Sequence, residues 1–319
     1  MKIAIMGLGV IGTTYAYAFQ KAGHDVRHIV REHKRPCVPA AVQIHLLDGR
    51  YNPKGEEKDD TYDVALVNTA DTFDFILVSV AKGKLSDAVQ TIRDRKLKGT
   101  VILFCNFWDG RPEIEKILGD IPYLVAFPTA GGQFENGQLN CVLFNHIMLE
   151  SEKKADIPNY DKLISLLESA DIKAEIPNDM FEWLWIHMAI NAGVTSTAAR
   201  NGIIDDPHQL AQDLMNDSKA LAMAVKTIRE TLKVVKARGV DLRLYRSEVL
   251  PYAFPAGIAG IVMKKMFASN ELTARIMTLH NDVDDMMYGC NCVYCEAKKK
   301  NLNLPLFFKN IEAVSMSRE

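Results

Sequence analysis

The sequence predicts an α/β domain followed by an all-α domain. Short, nearly all-apolar runs alternate with amphipathic stretches over the first half of the chain, a pattern typical of a parallel sheet covered by helices. From about Met180 onward, long helical patterns follow with almost no strand signal. At 319 residues, the chain is also longer than one compact core usually requires. We therefore place the two domains at residues 1–176 and 177–319.

Five parallel strands are expected in the first domain, with helices between them. Most of the strands are apolar nearly throughout, as strands buried on both faces should be, and the second strand is more polar. The expected strands are Lys2 to Met6, Asp25 to Val30, Phe75 to Val80, Val101 to Phe104 and Leu124 to Phe127, and the expected helices are Ile11 to Ala22 and Leu85 to Arg93. An antiparallel-looking strand at Leu139 to Phe144, a helix at Tyr160 to Ser169 and a short strand near Ile172 to Ile176 complete this domain.

The second domain is expected to begin after the segment Ile176-Pro177-Asn178-Asp179, where Asn178 or Asp179 is suited to cap a helix. Helical periodicity follows to near the end of the chain. The expected helices are Phe181 to Arg200, Pro207 to Arg238, a stretch around Ser247 to Met266, and Thr273 to Lys299.

Composition and charge exclude several classes of function. With 38 basic and 40 acidic residues, the net charge of −2 lacks the cationic excess of a general nucleic-acid binder. No stretch reaches the roughly 18 apolar residues that a membrane-spanning helix needs. The six cysteines are too sparse for a secreted disulfide framework, which favours a cytoplasmic setting.

A glycine motif follows the first expected strand directly and leads into a helix. The segment Gly7-Leu8-Gly9-Val10-Ile11-Gly12 is a G-x-G-x-x-G turn in the context that dinucleotide binding requires. Gly7 permits the tight turn, Gly9 lets a pyrophosphate approach the backbone, and Gly12 lets the helix pack on the strand. Unpaired N–H groups at the helix N-terminus can then bind the phosphates. The motif predicts a Rossmann-type domain.

The end of the second strand determines which dinucleotide is preferred. An acidic residue there accepts a hydrogen bond from the ribose of NAD, whereas an arginine pairs with the extra phosphate of NADP. The chain has Arg31 first, which favours NADP, and Glu32 next, which would weaken or reverse the preference if it faced the ribose. A solvated basic loop is the remaining interpretation of this charge cluster.

The chain resembles the ketopantoate reductase family over almost its whole length. Besides the glycine turn, Arg31 and Asn106, the resemblance rests on Trp185-Ile186-His187-Met188-Ala189-Ile190-Asn191, where the family motif is W-x-K-L-x-x-N. The resemblance implies a helical domain similar to the C-terminal domain of 6-phosphogluconate dehydrogenase. It also implies NADPH-dependent reduction of a small-molecule 2-oxo acid such as 2-dehydropantoate, with Asn106 and Asn191 positioning nicotinamide and substrate.

This chain departs from the family at the catalytic positions. His187 stands where the family has its lysine acid, and Asp282 stands where it has a substrate-binding glutamate. Thr195 replaces a second asparagine, and Lys82 matches the lysine after the fourth strand only with a one-residue slip. Because the catalytic lysine is missing, we expect a 2-oxo acid other than 2-dehydropantoate, or a related ketone.

Helical spacing gives separate support for the site. Trp183, His187, Asn191 and Thr195 recur every four residues, so their side chains share one face that is too polar for ordinary core packing. An imidazolium at His187 can stabilise the oxyanion and deliver the proton in a ketone reduction. Asp282 is expected to bind the substrate hydroxyl or orient that acid. A hydrogen-bonded interior histidine is the alternative.

Two other functions remain open from the sequence. One is a β-hydroxyacid dehydrogenase-like enzyme, and the other is an NADP(H)-binding sensor without turnover. A metal site is not expected, because Cys290, Cys292 and Cys295 lack a clear fourth ligand. A homodimer formed through the helical domain is compatible with the sequence.

Overall fold

In a computed structural model, which describes residues 1–68, 70–202, 204–279 and 283–318, the chain divides into two compact units. The first unit is Met1–Met180 and the second is Phe181–Glu319. The first carries the strands and the second is helical, so the predicted fold class is confirmed. The side chains of Lys82, Asn201 and residues 315–318 lie outside this description.

The described strands all lie in the first unit. They are β1 (Lys2–Met6), β2 (Asp25–Ile29), β3 (Ala41–Gly49), β4 (Glu56–Asp63), β5 (Thr72–Val78), β6 (Lys98–Leu103), β7 (Tyr123–Phe127), β8 (Ala130–Glu135), β9 (Gln138–Phe144), β10 (His146–Leu149) and β11 (Lys173–Glu175). The helices of this unit are α1 (Val10–Lys21), α2 (Leu85–Asp94), α3 (Arg111–Leu118), α4 (Glu152–Ala155) and α5 (Tyr160–Ser169).

The larger sheet has the order β11-β10-β7-β6-β5-β1-β2. Its five strands from β7 to β2 run parallel, and they are the five that the sequence predicts. β10 then pairs antiparallel with β7, and β11 pairs parallel with β10. Beside β2, the chain makes a single parallel bridge between His28 and Leu66. The glycine turn follows β1, so it lies at the carboxyl edge of the parallel strands.

A second, four-stranded sheet has the order β4-β3-β9-β8. Of these four strands, the sequence predicts only β9, as an antiparallel strand. In the structure β9 is antiparallel to β8 but parallel to β3. β3 and β4 form an antiparallel hairpin that the sequence does not predict. β4 is almost entirely charged or polar, and Tyr62 is its buried residue. It therefore lacks the alternation of apolar and polar residues by which a half-buried strand is recognised.

Helix α1 packs against both sheets. All eight residues from Gly12 to Phe19 are buried. Tyr15, Tyr17 and Phe19 belong to one core cluster with residues of β1 and β5 in the larger sheet and of β3 and β9 in the smaller sheet. Because eight consecutive residues are buried, this part of the helix is covered on every side. The smaller sheet therefore completes the burial of the helix that follows the glycine turn.

The second unit consists of helices. They are α6 (Met180–Asn201), α7 (Pro207–Asn216), α8 (Ser218–Ala237), α9 (Arg246–Val249), α10 (Ala256–Ser269), α11 (Glu271–Leu279), α12 (Val283–Lys299) and α13 (Pro305–Arg318). The sequence does not predict α13, and it predicts α7 and α8 as one helix. The two helices separate at Asp217, which has an extended backbone. Its carboxylate caps the start of α8 by accepting a hydrogen bond from the Lys219 N–H at 2.7 Å.

Small residues bring the helices of this unit close together. A Cβ atom at Gly193 of α6 would lie 2.9 Å from the backbone nitrogen of Ile228 in α8, so the two helices cross at near contact. Gly260 of α10 would meet the backbone at Ser218 and Ala222 in the same way. None of the described helices is long and apolar enough to cross a membrane.

Candidate functional site

The glycine turn has the geometry that its sequence predicts. Gly7 has φ +79°, which favours glycine, and its N–H donates to Ile29 O at 2.9 Å. A Cβ at Gly12 would lie 2.7 Å from Cγ2 of Ile5, so this glycine allows α1 to pack on β1. A Cβ at Gly9 would meet no atom within 4 Å. The requirement for glycine at Gly9 therefore does not come from internal packing.

The apolar residues of the motif pack against the core, whereas Gly9 faces solvent. Leu8, Val10 and Ile11 are partly buried and pack against the core cluster of the first unit. Gly9 is exposed at the N-terminus of α1. The first backbone N–H groups of a helix have no partner within the helix, so the turn presents a potential anion site to solvent.

A buried histidine fixes the first peptide of the turn. His28 of β2 is fully buried, with Nδ1 2.6 Å from Gly7 O and Nε2 2.7 Å from the hydroxyl oxygen of Tyr62 in β4. Burial lowers the pKa of His28 to about 4, so the imidazole is neutral near pH 7. The sequence analysis does not single out His28. The only sequence signal of its role is the more polar character of the second strand.

Charged side chains surround the end of β2. Arg31 is exposed, and its nearest described carboxylate is that of Asp87, with 4.0 Å between nitrogen and oxygen. Glu32 Oε1 accepts from Arg95 Nη2 at 2.9 Å and lies 3.7 Å from Arg35 Nη1. Arg35 also donates to Val67 O at 2.9 Å. The acidic residue is thus paired with two guanidinium groups, while Arg31 remains on the surface.

Asn106 lies just beyond β6, at the same carboxyl edge as the glycine turn. Its side-chain oxygen Oδ1 is buried and has no hydrogen-bond partner among the described residues. The next residues, Phe107 and Trp108, are buried, and Cys105 donates from Sγ to Val80 O at 3.0 Å. A buried amide oxygen without a donor is unfavourable unless a ligand supplies one. This atom therefore fits a role in binding.

The stripe predicted on α6 forms as its spacing requires. The rings of Trp183 and His187 are stacked, with centroids 5.1 Å apart and planes at 12°. Asn191 Nδ2 lies 2.9 Å from His187 Nε2, and Asn191 is exposed. Thr195, one turn further along, is buried. The stacked indole and the amide together hold one orientation of the imidazole.

Trp185 of the same segment has a structural role within the second unit. The guanidinium of Arg238 lies over its ring at 4.0 Å, a cation–π contact, and also pairs with Glu296 at 3.8 Å. Burial is the main cause that lowers the pKa of Arg238. Trp185 therefore anchors α6 to other elements of the second unit, while His187 and Asn191 remain accessible.

Polar residues outside this stripe lie on other elements or outside the described part of the chain. Asp282, along with His280 and Asn281, lies outside the described residues. Asp284 is exposed in the first turn of α12. Asn270 caps α11 through Oδ1, which accepts from the Thr273 N–H at 3.0 Å. The side chain of Lys82 lies outside the description.

The cysteine cluster of α12 contributes to the core. Cys290 is fully buried, and burial raises the pKa of its thiol to about 12. Cys292 is half-buried and Cys295 is exposed. Among the described side chains, no group of three or more histidine, cysteine, aspartate and glutamate residues could hold a metal ion.

The parallel sheet and the glycine turn after β1 are those of a Rossmann-type domain. Residues 3–143 match the family model described as "Ketopantoate reductase PanE/ApbA". Over these residues, the first unit is similar to the ketopantoate reductase family. None of the functionally curated proteins matches the chain.

Solved structures share this fold over both units. A dimeric ketopantoate reductase from Staphylococcus aureus is 15% identical, with 100% of each chain covered and a TM-score of 0.62. A D-mandelate dehydrogenase in ternary complex with NADH and anilino(oxo)acetate is 18% identical, with 99% of this chain and 97% of that chain covered and a TM-score of 0.68. A probable 2-dehydropantoate 2-reductase from Bacillus subtilis is 17% identical, with 99% of each chain covered and a TM-score of 0.63.

Proposed function

We propose that the chain is an NADP-dependent oxidoreductase that reduces a 2-oxo acid to the corresponding 2-hydroxy acid by hydride transfer. The observation that carries the proposal is the glycine turn, in which Gly7 has a positive φ, Gly9 is open and Gly12 packs against Ile5. The match of residues 3–143 to the ketopantoate reductase family supplies the reaction class.

The dinucleotide would be held by residues of the first unit. The turn from Gly7 to Gly12 and the N-terminus of α1 suit the pyrophosphate, and Arg31 suits the additional phosphate of NADP. Asn106 would accept a hydrogen bond from the nicotinamide carboxamide at Oδ1, which lacks a donor among the described residues. When bound, the reduced cofactor supplies the hydride.

His187 is the proposed acid of the second unit. Negative charge develops on the carbonyl oxygen during reduction, and an imidazolium can stabilise it and deliver the proton. The Trp183 ring limits rotation of the imidazole by stacking on it. Asn191 Nδ2 lies beside Nε2, so Asn191 would hold the ring between turnovers and contact the substrate. We keep Asp282 as a proposed substrate ligand.

A carbonyl beside a carboxylate is the substrate feature that the proposal requires. The solved D-mandelate dehydrogenase contains anilino(oxo)acetate, which has this feature. Histidine in place of lysine and aspartate in place of glutamate shorten two polar side chains of the proposed site. We therefore propose that the substrate is a 2-oxo acid other than 2-dehydropantoate. We also propose that the protein acts in the cytoplasm.

The test is oxidation of NADPH by the purified protein with a panel of 2-oxo acids that includes 2-dehydropantoate. Turnover is expected on at least one acid, and His187→Gln should lower kcat by about a hundredfold or more, as loss of a general acid does. Tyr245→Phe is the control and should leave kcat unchanged. It removes a hydroxyl that is hydrogen-bonded to Glu182 of α6, the helix that also carries His187. Tight NADPH binding without turnover on any ketone would instead identify a sensor.

We further propose that the protein is a homodimer formed through α10. Four apolar side chains of this helix share one face and are 41–59% exposed, namely Ile258, Ile261, Val262 and Met266. The Staphylococcus aureus ketopantoate reductase is dimeric. Ile261→Glu should halve the mass measured by light scattering. Leu244→Glu should not, because Leu244 is similarly exposed but lies outside α10. A monomeric parent protein would refute this proposal.

A further inference from the structure

Three guanidinium groups and the carboxylate of Glu32 lie around the end of β2. Arg31, Arg35 and Arg95 are the cations, and Glu32 is the anion that two of them contact. The local formal charge of these four side chains is therefore positive. This is the position at which dinucleotide-binding domains distinguish a ribose hydroxyl from a ribose phosphate.

Arg95 is held rigidly although it contacts a surface residue. Its side chain is only 11% exposed, and Nη2 donates both to Val30 O at 2.5 Å and to Glu32 Oε1 at 2.9 Å. Its backbone carbonyl accepts from the Ala70 N–H at 2.9 Å. A guanidinium fixed through backbone groups loses little additional entropy when it pairs with the carboxylate.

Glu32 is the residue that would favour NADH if it were unpaired. A glutamate near the end of this strand can accept a hydrogen bond from the ribose hydroxyl, and its charge repels a phosphate. Here Oε1 is directed to Arg95, and Arg35 is 3.7 Å from the same atom. Arg31 has its nearest described carboxylate at 4.0 Å, so its charge is available to a phosphate.

We propose that Arg95 is a specificity-determining residue, which sets a preference for NADPH over NADH by holding Glu32 away from the ribose. The inference rests on the proposed NADP-dependent function and assigns a role to a residue beyond the glycine motif and Arg31. Arg95 acts through Glu32, so it is a positioning residue rather than a catalytic one.

The test compares the ratio of the Kd values for NADH and NADPH, measured by cofactor fluorescence at one ionic strength. Arg95→Met keeps much of the apolar stem but removes the guanidinium. It should tighten NADH binding and weaken NADPH binding, shifting the ratio by about tenfold. Adding Glu32→Gln to Arg95→Met should abolish the gain in NADH affinity, because the freed carboxylate is then missing.

Two single variants serve as controls. Arg93→Met removes an equal charge two residues earlier, in the last turn of α2, where Arg93 donates to Ile117 O and Leu118 O, and it should leave the ratio unchanged. Glu32→Gln alone should leave the ratio nearly unchanged, because the carboxylate is already paired in the parent. This variant leaves the Arg95 side chain intact, so it tests the proposal even if Arg95→Met does not fold.

The outcomes separate this inference from the function on which it rests. If the parent binds NADPH but Arg95→Met leaves the ratio unchanged, Arg95 does not determine specificity. The inference is also overturned if the double variant keeps the gain in NADH affinity, or if Glu32→Gln alone strengthens the NADPH preference about tenfold, because the carboxylate would then already act on the ribose in the parent. A parent that binds neither dinucleotide would refute the proposed function, and the inference with it.

Discussion

His28 Nδ1 donates a hydrogen bond to Gly7 O at 2.6 Å. A carbonyl oxygen can only accept, so Nδ1 carries the proton of the neutral imidazole and Nε2 carries the lone pair. The hydroxyl of Tyr62 must then donate to Nε2, 2.7 Å away. A chain of two hydrogen bonds thus connects β4 of the smaller sheet to the first peptide of the glycine turn.

Tyr62→Phe should weaken both stability and dinucleotide binding. Removal of the hydroxyl leaves the buried Nε2 without a donor, which costs about 1–3 kcal/mol in the free energy of unfolding. Because the imidazole can then tilt away from Gly7, the Kd for NADPH should rise severalfold. Denaturant titration and cofactor fluorescence measure the two effects. Tyr160→Phe is the control: its hydroxyl donates to Glu150 O, so only stability should fall.

The buried His28 also makes stability depend on pH. Its pKa is lowered from 6.5 to about 4 in the folded state, mainly by burial, so the unfolded chain binds the proton more readily. Its contribution is complete above pH 6.5 and is lost as the pH falls from 6.5 through about 4. The loss is on the order of 3 kcal/mol.

His28→Asn isolates this contribution, because an amide can still donate to Gly7 O but does not titrate in this range. Over the same pH interval, the unfolding free energy of the variant should fall less steeply than that of the parent. Urea titrations at several pH values measure the difference. Parallel profiles for the two proteins would show that His28 is not the titrating group.

Substitution by alanine should have different effects at two glycines of the turn, lowering stability at Gly12 and NADPH affinity at Gly9. Gly12→Ala places a Cβ 2.7 Å from Ile5 Cγ2 and should destabilise the protein by about 1–3 kcal/mol through overpacking. Gly9→Ala meets no atom within 4 Å at φ −78°, so its unfolding free energy should change by less than about 0.5 kcal/mol. Its Kd for NADPH should nevertheless rise, because the methyl group occupies the approach of the pyrophosphate. Unchanged affinity in Gly9→Ala would contradict the binding role of the turn.

A buried ion pair should make Arg111 important for stability. Glu150 is 1% exposed, its Oε1 accepts from Arg111 Nη2, and its Oε2 accepts from the Val125 N–H at 3.1 Å. Burial raises the pKa of Glu150, and Arg111 opposes that rise. Arg111→Met should therefore cost about 3–5 kcal/mol, since it leaves a buried carboxylate without its cation.

Two further measurements identify the cause of that loss. In Arg111→Met the pKa of Glu150 rises further, so the deficit relative to the parent should narrow as the pH falls and the carboxyl is protonated. Adding Glu150→Gln should recover much of the stability, because an uncharged amide replaces the unpaired carboxylate. A deficit that is equal at all pH values and persists in the double variant would instead indicate lost packing around Arg111.

Features set by neighbouring residues could be predicted from the sequence, and features set by distant pairing could not. The glycine turn and the stripe from Trp183 to Asn191 depend on spacings of a few residues. Arg95 meets Glu32 across 63 positions, because the chain crosses from β2 to β5 and α2 before it returns to the end of β2. Neither residue carries a local signal of that contact. Tyr62 likewise meets His28 across 34 positions.

The enclosed position of α1 has a consequence for local opening of the first unit. Its residues from Gly12 to Phe19 are buried, and Tyr17 and Lys21 are bonded to Asp60 of β4 at 2.9 Å. Amide protons in this helix can exchange with solvent only when one of the two sheets separates from it, an event close to global unfolding. The helix should therefore be among the slowest-exchanging segments of the ligand-free protein. The exposed Gly9 at its N-terminus is thereby held in place before the proposed dinucleotide arrives, so association would cost little ordering entropy.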